Sequence, residues 1–174
     1  MQNLVSKKEE EERRLKALAE YRILGTKPES CYDDITKIAA TTCNVPISLM
    51  TLVDKDKQWF KSKIGLQISE TRRDWSFCTH AIKENSPLII HDAFQDERFI
   101  NNPLVTGDPK IRFYAGFPLR NSDGNKLGTL CVIDRKPGNL TTQQFNIMEL
   151  LSKQIVSFLE LRKKSLNLLD ALSN

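Results

Sequence analysis

The groups in this chain that can do covalent or ligating chemistry are few. They are the thiols of Cys31, Cys43, Cys78 and Cys131 and the imidazoles of His80 and His91. The cysteines form no CxxC pair and show no zinc-type spacing, so a metal site is not expected. In a reducing compartment such thiols stay free and mostly buried, and disulfides are not expected. Cys78 and His80 stand two residues apart, which on a helix turns their side chains about 200° from each other. They do not readily both face one ligand, and the plain alternatives are that Cys78 is a small buried residue and His80 a hydrogen-bonded structural histidine. Arg72, Arg73 and Arg112 carry guanidinium groups that suit phosphate, but Glu70 and Asp74 flank the first two as surface partners. No Ser-His-Asp ordering, GxxxxGK loop or pair of catalytic carboxylates stands out.

The stretch 113–134, FYAGFPLRNSDGNKLGTLCVID, points to binding instead. Phe113 to Leu119 and Leu127 to Ile133 read as the two strands of a β-hairpin, turned by Asn121-Ser122-Asp123-Gly124. Gly116 and Gly128 sit inside those strands, where glycine weakens a sheet unless something approaches the backbone closely. Trp75, Phe77, Phe113 and Tyr114 offer aromatic walls for a ligand cavity, and Ser76, His80, Asp92 and Thr129 offer polar anchors. Cys78, Gly116 and Cys131 complete the candidate ligand-binding set. The alternative is plain: aromatic residues in strands serve a hydrophobic core equally well.

The elements that would position these groups follow from pattern and punctuation. Residues 6–24 read as a charged helix with Leu15, Leu18, Ala19, Tyr21 and Ile23 on its apolar face, ended by Gly25 and Pro28. Ser30 looks like an N-cap with Asp33 three residues on, opening a helix to Cys43 whose apolar positions are Tyr32, Ile35, Ile38 and Ala39. Ile47 to Val53 and Gln58 to Ile64 read as strands about a turn at residues 54–57. A short helix is expected over 76–83, a short strand over 88–91, and an irregular segment over 94–110, long enough to suggest a functional loop. Thr141 and Gln144 form a capping box, and no Gly or Pro interrupts the chain from there to Leu172, roughly 45 Å of helix. Ile155, Leu159, Leu166 and Leu169 form a seam along it that suggests dimerisation or signal transmission. The sum is an α+β fold, an antiparallel sheet with helices packed on it.

Composition narrows the class. At 174 residues with 40% apolar and 28% charged side chains, the chain suits one globular domain and not a disordered one. The net charge of +4 is spread among acids, without the basic stripe expected of a nucleic-acid binder. No apolar run approaches the roughly 20 residues of a membrane span, and the charged N-terminus is unlike a signal peptide, so a cytoplasmic location without membrane contact is expected.

Several separated segments, in order, carry a family resemblance: YRILGTKPE, LVDKDKQWFKSKIGL, ETRRDWSFCTHAI, DAFQDERFINNPLV, IRFYAGFPL and GTLCVID. From about Arg14 to Leu161 the chain resembles a bacterial GAF domain, the sensing module of signal-transduction proteins. The resemblance implies a GAF/PAS-like central antiparallel sheet flanked by helices, with long N- and C-terminal helices. It divides the chain into an N-terminal helix (1–25), a GAF domain (26–161) and an extension of the C-terminal signalling helix (162–174). It implies a non-catalytic sensor that binds an unidentified small molecule beneath residues 94–110. The partners it implies are a second copy through the terminal helices and an output domain or protein of histidine kinase, diguanylate cyclase or phosphodiesterase type, including two-component systems. Bilin and haem fit poorly, because the motif around Cys78-Thr79-His80 differs and His80 lacks a second ligand. The cyclic-nucleotide signature of related domains is matched only by a partial echo in Phe94-Gln95-Asp96-Glu97. Two alternatives remain: a thiol redox enzyme of the free methionine sulfoxide reductase type using Cys78 or Cys131, though residues 94–110 hold no cysteine, and a ligandless dimerisation module.

Overall fold

The strands β1 (Ile47–Val53) and β6 (Lys126–Asp134) show almost no alternation of buried and exposed positions: all of β1, and Leu127 to Ile133 of β6, are buried. Strands dry on both faces demand cover on both sides. The computed structural model, which describes residues 2–173, supplies that cover as two layers about one sheet. The sheet adds β2 (Lys57–Ile64), β3 (Glu70–Arg72), β4 (Leu88–Ile90) and β5 (Phe113–Arg120), in the order β3-β2-β1-β6-β5-β4 with every pairing antiparallel. One face carries α1 (Gln2–Glu20), α2 (Ser30–Cys43) and α5 (Thr142–Leu172). The other carries α3 (Phe77–Ala81) and the segment 91–112, which contains α4 (Pro103–Thr106). The architecture is α+β, as expected.

Alternation sorts the core into two clusters. Met50, Leu52, Phe113, Ala115, Phe117, Leu130 and Val132 face the helical layer, while Leu49, Val53, Tyr114, Cys131 and Ile133 face α3 and the loop. Gly128 explains the tight centre of the sheet. A Cβ there would lie 1.9 Å from the carbonyl oxygen of Thr51 on β1. The close approach expected of this glycine is therefore made by the neighbouring strand.

Several expected helix details are revised. α1 stops at Glu20, before Gly25, and its inward face uses Ala17 while Ala19 is exposed. Tyr21 and Ile23 are buried but lie beyond the helix end. In α2 the N-cap is Glu29, with no side-chain bond, so Ser30 is already helical; Ile38 is exposed and Thr36 is buried in its place. Asn44, in the left-handed conformation, closes α2 ahead of Pro46. The capping box of α5 forms as read, with Thr141 accepting from the Gln144 amide and Gln144 accepting from the Thr141 amide.

The long-helix seam divides. Ile155 and Leu159 are fully buried against the core, Leu166 is half-buried, and Leu169 is exposed. Arg162 sits at the division, donating to the carbonyls of Tyr21 (2.8 Å) and Arg22 (2.9 Å). Tyr21 in turn donates to Glu160 (2.6 Å) and accepts from Asn121 in the hairpin turn (3.1 Å). These bonds lock α5 to the end of α1.

Two consequences can be measured. Gly128→Ala should lower stability by roughly 2–3 kcal/mol, because the obstacle is backbone, and should appear as an earlier urea midpoint at unchanged slope. Glu11, on α1, provides the other. Burial pushes its carboxyl up, but hydrogen bonds from Arg14 and Arg73 outweigh this and hold it at about 2 against an ordinary 4.5. A folded value below the unfolded one means its stabilisation is present above about pH 4.5 and lost as pH falls towards 2. Glu11→Gln should flatten that part of the stability–pH curve in denaturant titrations.

Candidate functional site

The lid-facing side of the sheet concentrates the polar and nucleophilic side chains. Thr51 and Thr129 are directly opposed on β1 and β6, their hydroxyls 3.1 Å apart. Cys131 lies two residues along β6, opposite Gly116 on β5. Above them α3 brings down Cys78, whose sulfur accepts from Thr129 Oγ1 at 3.1 Å and from the Tyr114 hydroxyl at 3.3 Å. All five of these side chains are at most 2% exposed.

Gly116 makes that arrangement possible. A Cβ at this position would lie 2.1 Å from the Tyr114 hydroxyl oxygen, so the phenol folds across the space a side chain would have filled. The glycine expected to admit a ligand admits the protein's own tyrosine.

α3 is placed by Ser76, its N-cap, which accepts from the Thr79 amide (3.1 Å) and donates to Gln58 Oε1 (2.7 Å). The loop then closes over α3. Phe99 stacks on Phe77 with ring centroids 3.9 Å apart and planes within 9°, and His80 meets the edge of Phe99 at 4.9 Å. Such stacking adds about 0.5–1.5 kcal/mol beyond burial. Asn102 donates to the Trp75 carbonyl (2.9 Å) and caps α4, tying the loop back to the start of α3.

Beneath this lid a cavity remains, lined by Phe77, Cys78, Tyr114 and Cys131 together with Leu49, Gln58, Leu104 and Ile111. Its volume is about 20 Å³, room for about one water molecule. The expected residues thus sort into three groups. Phe77, Cys78, Tyr114 and Cys131 line the cavity, with Thr129 and Gly116 directly behind them. Ser76 and His80 build the lid, Trp75 packs at its edge, and Asp92 caps the turn at residues 93–95 by accepting from the Phe94 amide. Phe113 does not join them: strand alternation turns it into the helical layer, where it lies against Gly138. Gln58 and Thr51 also belong to this site, and the sequence signal for them is their place on the lid-facing parity of β2 and β1.

Electrostatics set the two thiols apart. Burial pushes the Cys78 thiol up, but the Thr129 and Tyr114 hydroxyls that donate to it, with Cys131 and Thr51 close by, draw it below the ordinary range. Burial and the neighbouring Cys78 sulfur hold Cys131 well above it. Burial likewise raises Cys43, to about 11. The three arginines considered for phosphate are each engaged. Arg72 pairs with Asp74 (2.6 Å), Arg73 with Glu11 (2.6 Å), and Arg112 lies 3.4 Å from the Phe94 ring centre while donating to Val105 and Ile111 carbonyls. Among the described residues no group of three His, Cys, Asp or Glu side chains is placed to hold a metal, and no helix is long and apolar enough to cross a membrane.

This geometry, a six-stranded antiparallel sheet with terminal helices on one face and a lidded cavity on the other, has relatives. The family described as GAF domain matches residues 27–158. The chain belongs to the GAF domain family. Among curated proteins, the cyclic di-GMP phosphodiesterase PA2567 of Pseudomonas aeruginosa is 37% identical over 150 residues, 86% of this chain. The alignment covers 26% of that protein, so this GAF chain spans about a quarter of its relative's length. Among solved structures, the GAF domain of an Acinetobacter phosphoenolpyruvate-protein phosphotransferase superposes with a TM-score of 0.62 at 14% identity, covering 89% of this chain and 96% of that one. The free methionine-R-sulfoxide reductase of Neisseria meningitidis gives 0.63 at 14% identity, with coverage of 84% and 87%. At these identities the superpositions speak to fold alone.

The burial pattern predicts thiol reactivity. In the native GAF domain a bulky aromatic disulfide reagent should titrate Cys31, which is half-exposed, and leave Cys43, Cys78 and Cys131 intact. In denaturant all four should react, which absorbance of the released thiolate counts.

Proposed function

We propose that this GAF domain is a non-catalytic sensory module of a signalling protein, which passes a small-molecule signal along α5 to an output domain or partner. The observation that carries the reading is the divided character of α5. Its first half is core, with Met148, Ile155 and Leu159 buried, and its second half presents Leu161, Leu168 and Leu172 to solvent. Those three recur at steps of seven and four, so they share one face, distinct from the seam read from sequence. A helix welded to the core at one end and apolar on an open face at the other suits a homodimer in which core rearrangement shifts the helix pair. The Pseudomonas relative favours a cyclic-dinucleotide phosphodiesterase as the class of output.

In this reading the ligand enters by displacing the lid, and Phe77, Cys78, Tyr114 and Cys131 meet it, with Trp75, Ser76, His80 and Asp92 holding the parts that move. A ligand acts here only through unequal affinity for the closed and open arrangements. The small volume of the cavity favours a second reading, a ligandless dimerisation module. It also weighs against the reductase reading, since methionine sulfoxide is far larger than a water molecule.

Native mass spectrometry of the chain, with Leu161→Glu/Leu168→Glu beside it, tests the proposal. The expected result is a dimer carrying a reproducible extra mass, and a monomeric variant whose circular dichroism matches the wild type, since both positions are exposed. A dimer without added mass selects the ligandless module. A wild-type chain monomeric across micromolar concentrations would sink the α5 mechanism.

A further inference from the structure

The thiol pair at the centre of the cavity has features that packing alone does not require. Buried hydroxyls ordinarily seek oxygen acceptors, and a neutral thiol is a weak acceptor. Yet Thr129 and Tyr114 both donate to Cys78 Sγ, at 3.1 and 3.3 Å, and Cys131 lines the same cavity. Valine and phenylalanine would have filled the same volumes without polar atoms. Two hydroxyl donors converging on one sulfur match a thiolate, the nucleophilic form of cysteine. The partner thiol faces the same small space from a different element of the fold, Cys131 on β6 against Cys78 on α3. The cavity that both sulfurs line holds about 20 Å³, which suits a molecule little larger than water.

We infer that Cys78 and Cys131 form an oxidation-sensitive dithiol that hydrogen peroxide converts to a disulfide, stapling the lid to the sheet. The Cys78 thiolate attacks one peroxide oxygen; the O–O bond breaks and the leaving hydroxide takes a proton to depart as water. Cys78 is then a sulfenic acid. The Cys131 sulfur attacks Cys78 Sγ, the S–S bond forms, and the sulfenic hydroxyl leaves with the Cys131 proton as a second water. Two thiols and one peroxide give one disulfide and two waters, and two electrons pass to the peroxide. A dithiol reductant reverses the change.

The consequence follows from what each cysteine is attached to. Cys131 sits on the central strand β6, and Cys78 adjoins Phe77, the residue on which the loop's Phe99 stacks. A covalent bond between them fixes α3, and with it the lid, in the closed position. Oxidation then holds the cavity shut. That consequence rests on the sensory reading above, whereas the cross-link does not.

The test uses the whole chain, reduced and then exposed to hydrogen peroxide, quenched with N-ethylmaleimide in denaturant and digested without reductant. Peptide mass spectrometry should find a Cys78–Cys131 cross-linked pair, lighter by two hydrogens, before Cys31 or Cys43 is modified, and dithiothreitol should remove it. Oxidised glutathione, too large for the cavity, should leave both thiols free over the same interval. Thr129→Val should slow the cross-link by about tenfold, the loss of one hydrogen bond to a charged acceptor. Cys131→Ser should instead accumulate a Cys78 sulfenic acid that dimedone traps. Modification of Cys31 or Cys43 first, with Cys78 and Cys131 recovered as alkylated thiols, would overturn the inference, as would equal reactivity towards oxidised glutathione. Ligand-free native mass spectra beside a formed cross-link would count against the sensory reading and leave the dithiol standing.

Discussion

Everything in this molecule hangs on the close pairing of β1 with β6. At Gly128 the two backbones approach so nearly that no side chain fits between them, and along both strands neither face meets water. A sheet centre of this kind cannot be half-solvated. It needs a helical layer on one side and a second cover on the other, and the short strands β3 and β4 at the edges leave room for that second cover to be a loop. The lid is therefore a structural requirement of the sheet, and the cavity beneath it is small.

The same pairing explains why the polar groups of the site sit where they do. Thr51 and Thr129 face each other because the β1–β6 register aligns them, and Cys131 faces Gly116 because the β5–β6 register does. The missing side chain of Gly116 lets the Tyr114 phenol reach across the sheet to Cys78. The result is a small hydroxyl-and-thiol cluster held by three strands and capped by α3. Any rearrangement of α3 must break bonds to that cluster. Any change at the cluster is felt by α3, by the stacked Phe77–Phe99 pair, and through them by the loop.

On the opposite face, α5 shares its buried side chains with the same sheet and is tied by Arg162, Glu160 and Tyr21 to the end of α1 and to the β5–β6 turn. The hairpin that carries Tyr114 and Cys131 on its lid side carries Phe117 and Leu130 on its helical side. Lid and helix thus pack on opposite faces of one pair of strands.

Much of this was legible in the chain itself. Local propensity and turn chemistry located β1 to the residue, the β5–β6 hairpin about its Asp-Gly turn, and the capping box of α5, because each depends on neighbours close in sequence. Of the residues expected to contact a ligand, the structure brings Phe77, Cys78, Tyr114 and Cys131 together around one small cavity. Tertiary structure decided the rest. It put Phe113 and Tyr114 on opposite faces, filled the space at Gly116 with a phenol and that at Gly128 with a strand, and divided the α5 leucines between core and solvent. Those outcomes depend on register and on which distant element arrives at a given surface. One strand residue looks like the next until its partner strand is known, and an apolar helix position becomes core or interface only when something packs against it.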